Sequence, residues 1–255
     1  MKIDIDNIYK LRSERSVKVA KLQSTLLAKA KTEPGCRFYS LWDKIWCEDV
    51  LGEAYRRCRR NAGAPGVDGE SFAQIDLQGV EQWLGNLREQ LRKGDYRPGA
   101  LLRVWIPKSG GGERPLGIPT VRDRVVQMAA VLVIGPIFEA DFCEEQMGFR
   151  PGRDAKTAVR LAYYQVNQKG RPEVVDADLS DYFNTIPHGA LLRSLSRRIA
   201  DGKVLSLIRA WLKAPVEEGK KGKANHRTTK AKDENRGTPQ GGVMTPRTQK
   251  ITSRL

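Results

Sequence analysis

Two carboxylates at alternating positions mark the stretch 174–184, which reads VVDADLSDYFN. If residues 173–179 form a strand, Asp176 and Asp178 share one face and Val175 packs on a core on the other, because side chains alternate along a strand. Carboxylates are rarely buried without partners, and Mg²⁺ is usually bound through one or two carboxylates together with substrate phosphates. The pattern fits a magnesium site that handles phosphates, and it fits equally well an edge strand with solvated acids.

A glycine-rich turn between two cations is the second candidate site. Residues 101–108 form the first predicted strand, residues 109–113 the turn and residues 114–119 the returning strand. Lys108 and Arg114 therefore flank the turn. Glycine lets a backbone approach a ligand closely, and two cations can grip a triphosphate. The alternative is an ordinary hairpin whose cations are solvated.

Arginine clusters in two places are candidate contacts to nucleic-acid phosphates. The first cluster closes a predicted helix over 41–60 and consists of Arg56, Arg57, Arg59 and Arg60. Its alternative role is a solvated helix end, where the macrodipole favours cations. The second lies in the tight basic loop 146–153, where Arg150 and Arg153 either contact a nucleic-acid backbone or pin the loop.

The composition limits the classes of partner and of site. The 255 residues carry a net charge of +15, which favours a polyanionic partner, with nucleic acid ahead of anionic membrane. Only two histidines and four cysteines are present, without Cys-x-x-Cys spacing, so a zinc site or a histidine-based triad has little to build on and reduced thiols are expected. No apolar run approaches the roughly 20 residues that span a bilayer. The first residues lack a signal-peptide core, so we expect a cytoplasmic protein with no membrane partner.

Helical patterns dominate the first part of the chain and must position the arginines. Residues 1–60 are basic and mostly helical, and a Gly/Pro-rich loop over 61–70 marks a plausible subdomain boundary. An amphipathic helix over 82–93 follows and is stopped by Gly94.

A second helical region follows the glycine hairpin. Thr120 can cap a helix over 121–139, with Asp123 placed for something close to a capping box. Pro136 is expected to kink or end this helix. Its apolar run 128–134 is too hydrophobic for a surface helix, so we predict that it is buried.

The remaining elements flank the paired carboxylates. Asp154 is expected to cap a helix that runs to about Lys169, Pro187 to start another, and residues 203–213 to form a third. The stretch 219–236 is strongly basic and is predicted to be an exposed hairpin or a partly disordered loop.

Five short motifs, in order and at matching spacing, give residues about 60–246 a specific resemblance to one family. They resemble the fingers and first part of the palm of a group II intron-encoded reverse transcriptase/maturase. The matching segments are GVDG at 66–69, PK at 107–108 with RPLGIP at 114–119, GFRPG at 148–152, DLSDYFNTIPH at 178–188 and GTPQG at 237–241.

The resemblance implies a role for individual residues. Asp178 resembles the first catalytic aspartate, which holds both Mg²⁺ ions, and the Leu179 carbonyl resembles a further metal ligand. Phe183 resembles the aromatic gate that stacks under the incoming sugar and rejects ribonucleotides. The other nucleotide contacts are implied to be Lys108 and Arg114 at the triphosphate, and Gln240 beside the nucleotide and template. No role is implied for Asp176.

The resemblance also implies an α+β fold with the architecture of a right-hand polymerase. A helical basic extension is expected over 1–60, fingers over 61–175, and an incomplete palm over 176–246 that contains the basic insertion 219–236. Residues 247–255 are expected to form a divergent tail. The implied activity is RNA-directed DNA polymerisation, a nucleotidyl transfer catalysed by an enzyme that a mobile element encodes. The implied partners are the group II intron RNA, an RNA template with its DNA primer, and deoxynucleoside triphosphates.

One departure from the family pattern bears on activity. Such enzymes carry an aromatic-x-Asp-Asp motif downstream of the Pro-Gln-Gly turn, and these 255 residues contain no Asp-Asp pair. We therefore expect a truncated chain whose two-metal site is incomplete and which cannot polymerise by itself. The alternative function is a non-catalytic module of maturase type that binds intron RNA.

Overall fold

The computed structural model describes residues 5–107, 110–148, 150–177, 182–220, 223–228 and 235–238. Within these residues the chain forms helices and one small sheet, in agreement with the predicted mixed class. The helices are α1 (Ile5–Thr32), α2 (Trp42–Ile45), α3 (Glu48–Arg60), α4 (Phe72–Gln78), α5 (Val80–Lys93), α6 (Val121–Glu139), α7 (Ala155–Asn167), α8 (Tyr182–Thr185), α9 (His188–Ser196) and α10 (Gly202–Lys213). The strands are β1 (Leu101–Pro107), β2 (Glu113–Ile118), β3 (Val216–Lys220) and β4 (Lys223–Thr228).

Helix α6 forms the centre of the hydrophobic core. Its apolar run 128–134 is buried apart from the half-buried Met128, as its composition predicts. Helices α1 and α3 pack on α6, and one continuous apolar cluster also includes residues of α5, α9 and α10. Residues from the predicted extension, fingers and palm therefore share one core. The assignment of 1–60, 61–175 and 176–246 to those parts stays a prediction.

Local capping explains where α6 begins. The Thr120 hydroxyl accepts a hydrogen bond from the Asp123 N–H at 3.1 Å, as predicted. The predicted capping box is only half formed, because the Asp123 carboxylate accepts instead from the Tyr96 hydroxyl at 2.6 Å and from the Gly99 N–H at 2.8 Å. Helix α6 continues through Pro136, so the proline does not end it.

The sheet joins segments that are far apart in the sequence. Its strand order is β2-β1-β3-β4, with β1 and β2 antiparallel, β1 and β3 parallel, and β3 and β4 antiparallel. The predicted glycine hairpin is therefore confirmed. Strands β3 and β4 also form a hairpin that includes the described part of the basic stretch 219–236 up to Thr228, in line with one of its two predicted states. The parallel pairing of β1 with β3 was not foreseen.

The strand predicted over 173–179 is not formed in its described part. Residues 171–177 have no regular secondary structure, and Val175, expected to face a core, has 93% of its surface exposed. A strand needs a neighbour for its backbone hydrogen bonds. None of the described strands pairs with residues 173–177, so their alternating pattern has no sheet to join.

Candidate active site

Arg114 is the described member of the two cations predicted to hold a triphosphate. It lies in β2 opposite Ile106 of β1, with its side chain exposed. The antiparallel register continues to the pair of Pro107 with Glu113, directly at the base of the glycine turn. Arg114 is thus held at a fixed register next to the turn. Its predicted partner Lys108 lies outside the described residues.

Phe183 lies in α8, and residues 235–238, which we call the strap, cross the backbone that follows it. The Thr238 N–H donates to the Phe183 carbonyl at 2.7 Å, and the Gly237 N–H donates to the Ile186 carbonyl at 2.9 Å. The last two residues of the strap, Gly237 and Thr238, open the GTPQG motif, and Phe183 belongs to the DLSDYFNTIPH motif. The structure therefore brings together two motifs whose nearest ends, His188 and Gly237, are 49 residues apart in the sequence.

His188 makes two further hydrogen bonds to the strap, a role that sequence reasoning missed. Its backbone N–H donates to the Asn235 carbonyl at 2.8 Å, and its Nε2 lies 2.7 Å from the Gly237 carbonyl oxygen. The side chain is buried, with 3% of its surface exposed. The available signal was its identity: His188 is one of only two histidines in the chain and closes the DLSDYFNTIPH motif.

The predicted metal ligands, Asp178 and the Leu179 carbonyl, lie outside the described residues, as does the predicted nucleotide contact Gln240. In the part of the chain that the structure describes, no group of three or more histidine, cysteine, aspartate or glutamate side chains could hold a metal ion. The donor chemistry of the predicted pair, one carboxylate and one carbonyl, fits Mg²⁺, which prefers oxygen ligands.

The arginine cluster at the end of α3 is organised by two carboxylates. Arg56 and Arg57 bind the buried carboxylate of Glu53 at 2.7 and 2.6 Å, and Arg59 binds Asp76 at 2.7 Å. Burial acts to raise the pKa of Glu53, but the hydrogen bonds from Arg56 and Arg57 outweigh it and the pKa is lowered.

Arg60, the last arginine of that cluster, is exposed. The cluster is therefore tied to the fold at Glu53 and Asp76, although the paired arginine side chains remain 37–47% exposed, and Arg60 adds a further exposed cation. Its predicted contact with nucleic acid stays a prediction.

Arg150 has the contacts expected of a residue that pins its loop, the second of its two predicted roles. Only 8% of its side chain is exposed, and its Nε lies 2.8 Å from a Glu139 oxygen. Its guanidinium also donates to the carbonyls of Cys143 and Gln146 and lies over the Phe142 ring. Little of this side chain remains accessible to a phosphate.

Arg153 has looser surroundings in the same loop. One guanidinium nitrogen lies 3.9 Å from the Met147 sulfur, and the side chain is half-buried. Its predicted contact with nucleic acid stays a prediction.

No helix among the described residues is long and apolar enough to cross a membrane.

Known proteins are similar to this chain over most of its length. The family model described as reverse transcriptase (RNA-dependent DNA polymerase) matches residues 106–252. Protein YkfC of Escherichia coli K12 is 36% identical over 233 residues, which cover 89% of this chain and 58% of YkfC. The group II intron-encoded protein LtrA of Lactococcus lactis subsp. cremoris is 32% identical over 211 residues, covering 82% of this chain and 33% of LtrA.

A plant protein matches a shorter part of the chain. The nuclear intron maturase 2, mitochondrial, of Arabidopsis thaliana is 35% identical over 111 residues, covering 42% of this chain and 15% of that protein. The chain thus spans 58% or less of the length of these relatives. The family match extends over more than half of the chain and includes the glycine hairpin from Ile106 on, Phe183 and the strap. The chain therefore belongs to the reverse transcriptase family, and within it to the group II intron-encoded reverse transcriptases and maturases.

Proposed function

We propose that this chain serves RNA-directed DNA synthesis for a group II intron, contributing the fingers over 61–175 and the first part of the palm over 176–246. One observation carries the proposal: the 2.7 Å hydrogen bond from the Thr238 N–H to the Phe183 carbonyl. This bond joins the motif of the proposed aromatic gate to the motif of the proposed template-side glutamine, Gln240. Two separate sequence matches thus converge on one place in the fold.

The proposed roles follow the chemistry of nucleotide addition, in which positioning and electrostatic stabilisation supply most of the catalysis. Lys108 and Arg114 neutralise the triphosphate from the hairpin. Phe183 stacks under the sugar and excludes a 2′-hydroxyl, and Gln240 lies beside the nucleotide and the template.

The proposed metal ligands are Asp178 and the carbonyl of Leu179. These residues would hold Mg²⁺, which would supply electrostatic stabilisation for the transfer of a phosphoryl group. The 255 residues contain no Asp-Asp pair, the second set of metal-binding carboxylates in this family. We therefore expect this polypeptide, tested by itself, to bind nucleotide without extending a primer.

A second candidate function is a module that binds intron RNA without chemistry. The net charge of +15 favours it, because neutralising phosphates with lysine and arginine releases counterions. Such a module needs the basic surface and makes no use of Asp178.

Equilibrium binding separates the two functions. The 255-residue chain is mixed with an RNA template carrying a DNA primer, and binding of a fluorescent deoxynucleoside triphosphate is measured with and without Mg²⁺. Asp178→Asn is compared with Asp176→Asn, a matched change two residues away at a residue that is exposed and has no proposed role. Primer extension is followed in the same samples.

Polymerase function predicts nucleotide binding that depends on Mg²⁺, is lost in Asp178→Asn and survives in Asp176→Asn. Salt-sensitive RNA binding with no nucleotide binding in the wild type supports the RNA-binding module instead. Primer extension by the wild-type chain contradicts the expected need for a second carboxylate set.

A further inference from the structure

We propose that His188 is a positioning residue for the nucleotide site, holding the strap against the backbone of Phe183 through its Nε2–H. This inference rests on the proposed function, since it gives the strap and Phe183 a task in selecting the nucleotide. The imidazole itself touches neither nucleotide nor metal in this proposal. It acts on them through the backbone.

The tautomer of His188 follows from its partner. A carbonyl oxygen can only accept a hydrogen bond, so the 2.7 Å contact between Nε2 and the Gly237 oxygen requires the proton on Nε2. The bond is shielded from water, because His188 has 3% of its surface exposed. The donor is buried and its acceptor is half-buried, so losing the carbonyl would leave the imidazole N–H with the full desolvation cost of an unpaired buried group.

The strap is tied to residues 183–188 along its whole length. Asn235 accepts from the His188 N–H, Gly237 donates to Ile186, and Thr238 donates to Phe183 through both its N–H and its hydroxyl, at 2.7 and 3.4 Å. Four backbone-directed bonds and the imidazole bond therefore fix one short segment over another. The imidazole bond, at 2.7 Å, is the shorter of the two side-chain bonds in this set, and a substitution of His188 removes it.

Gly237 gives independent support for a close crossing. Its φ of +87° lies in a region that side-chain-bearing residues rarely adopt. A Cβ placed there would lie 3.2 Å from the Asn184 carbonyl oxygen. The two backbones thus approach too closely for a side chain at this position to fit without a shift, and the carbonyl of this same glycine accepts the hydrogen bond from His188.

The strap restrains the position of Phe183. Its carbonyl is the acceptor for Thr238, so the strap restrains the backbone from which the proposed sugar-selecting ring projects. Gln240 follows Thr238 by two residues in the sequence. Loosening the strap should therefore weaken the preference for deoxyribonucleotides.

The test uses two variants of similar size with opposite hydrogen-bonding ability. His188→Leu fills the space without a donor, whereas His188→Gln offers an amide N–H at a reach close to that of Nε2. The first measurement is hydrogen exchange at the Gly237 and Thr238 amides of the full 255-residue chain, with amides of α6 as the internal reference for folding. We expect at least tenfold faster exchange at both strap amides in His188→Leu, unchanged exchange in α6, and near-normal protection in His188→Gln.

The second measurement is the ratio of the dissociation constants for a ribonucleoside and a deoxyribonucleoside triphosphate, with primer–template and Mg²⁺ present. We expect this ratio to fall at least threefold in His188→Leu and to be retained in His188→Gln. A wild-type preference that survives His188→Leu, or equal strap exchange in the two variants, overturns the positioning role alone. A wild-type ratio of one contradicts the proposed nucleotide site itself, and the positioning role falls with it.

Discussion

The carboxylate of Asp201 accepts a hydrogen bond from the backbone N–H of Leu41 at 2.8 Å, across 160 residues of chain. The same oxygen accepts from the Trp42 N–H at 2.8 Å, and the other oxygen accepts from the N–H groups of Lys203 and Val204 at the start of α10. One side chain therefore caps α10 and fixes the start of α2. It ties the amino-terminal helices to the end of the described core.

Removing this carboxylate should destabilise the whole fold. Asp201→Ala takes away a helix cap and leaves the buried Leu41 N–H without its acceptor, so we expect a loss of about 2–4 kcal/mol in the free energy of unfolding. Urea denaturation followed by far-UV circular dichroism measures it. The matched control is Asp154→Ala, which removes the exposed cap of α7 and should cost clearly less. Equal losses in the two variants would contradict the long-range role of Asp201.

Arg198 should also be indispensable, for reasons of geometry as well as charge. Its guanidinium donates to the carbonyl of Ala30 in the last turn of α1 at 2.7 Å and to those of Pro34 and Cys36 just beyond the helix. Its Nε lies 3.2 Å from an Asp141 oxygen. Lysine has no planar fork to reach several carbonyls at once. We expect Arg198→Lys to lower the free energy of unfolding by about 3 kcal/mol, because carbonyls that lose their donor cost about 1–3 kcal/mol each.

A control for Arg198 is Arg92→Ala, which breaks the exposed pair with Glu89 on α5. Exposed ion pairs contribute little to stability, so this variant should unfold close to the wild type. An Arg198→Lys variant as stable as Arg92→Ala would show that the charge alone, rather than the fork of donors, holds the end of α1.

Cys58 should be unreactive until the protein unfolds. Burial raises the pKa of its thiol to about 12, with the nearby Arg124 opposing this only in part. The thiolate is the nucleophile, so at pH 8 iodoacetamide should modify the exposed Cys143 and spare Cys58. Peptide mass spectrometry before and after urea treatment measures the difference. Modification of both thiols at similar rates in the folded protein would contradict this prediction.

The raised pKa of Cys58 also predicts that the free energy of unfolding falls as the pH becomes alkaline. The folded state holds the Cys58 proton more tightly than the unfolded state does, where the thiol pKa is about 8.5. Its contribution is complete below that value and is lost as pH rises toward about 12. Cys58→Ala should therefore lose less stability than the wild type between pH 8 and pH 10.5, measured by urea midpoints. Equal losses of stability in Cys58→Ala and the wild type over this pH range would contradict the predicted role of the Cys58 thiol.

Arg60 and Arg56 should behave differently in RNA binding although they lie one helical turn apart. Arg60 is exposed, so Arg60→Ala should lower RNA affinity and reduce the slope of log affinity against log salt by about one. Arg56 is engaged by the buried Glu53, so Arg56→Ala should act mainly on stability. Filter binding across a salt series, with urea denaturation of both variants, measures the difference. Identical salt slopes for Arg60→Ala and the wild type would remove Arg60 from the interface.

Local physics made several elements predictable from sequence. The caps Thr120 and Asp154 and the stop at Gly94 depend on backbone groups within one helical turn. The glycine hairpin needs only two short strands and a permissive turn between them. The buried run 128–134 is identified by its hydrophobicity alone. Each feature was predicted because its cause lies within a few residues.

Short motifs in order were likewise enough to assign the chain to its family. They could not reveal which side chains connect the motifs. Nothing near Asp201 in the sequence indicates its acceptance of the Leu41 N–H, and nothing near His188 indicates its bond to Gly237. Those partners become neighbours only when helices close on a common core.

The strand expected over 173–179 is a case in which the local sequence pattern predicted an element that the described residues do not form. Its alternating pattern is real, but a strand exists only where another strand supplies backbone partners, and β1 pairs with β2 and β3 instead. Sequence by itself determined the caps, the turn, the buried helix and the family. Tertiary structure decided the sheet order, the exposure of Val175 and the fastening of the strap, because hydrogen bonds between distant segments depend on how the whole chain packs.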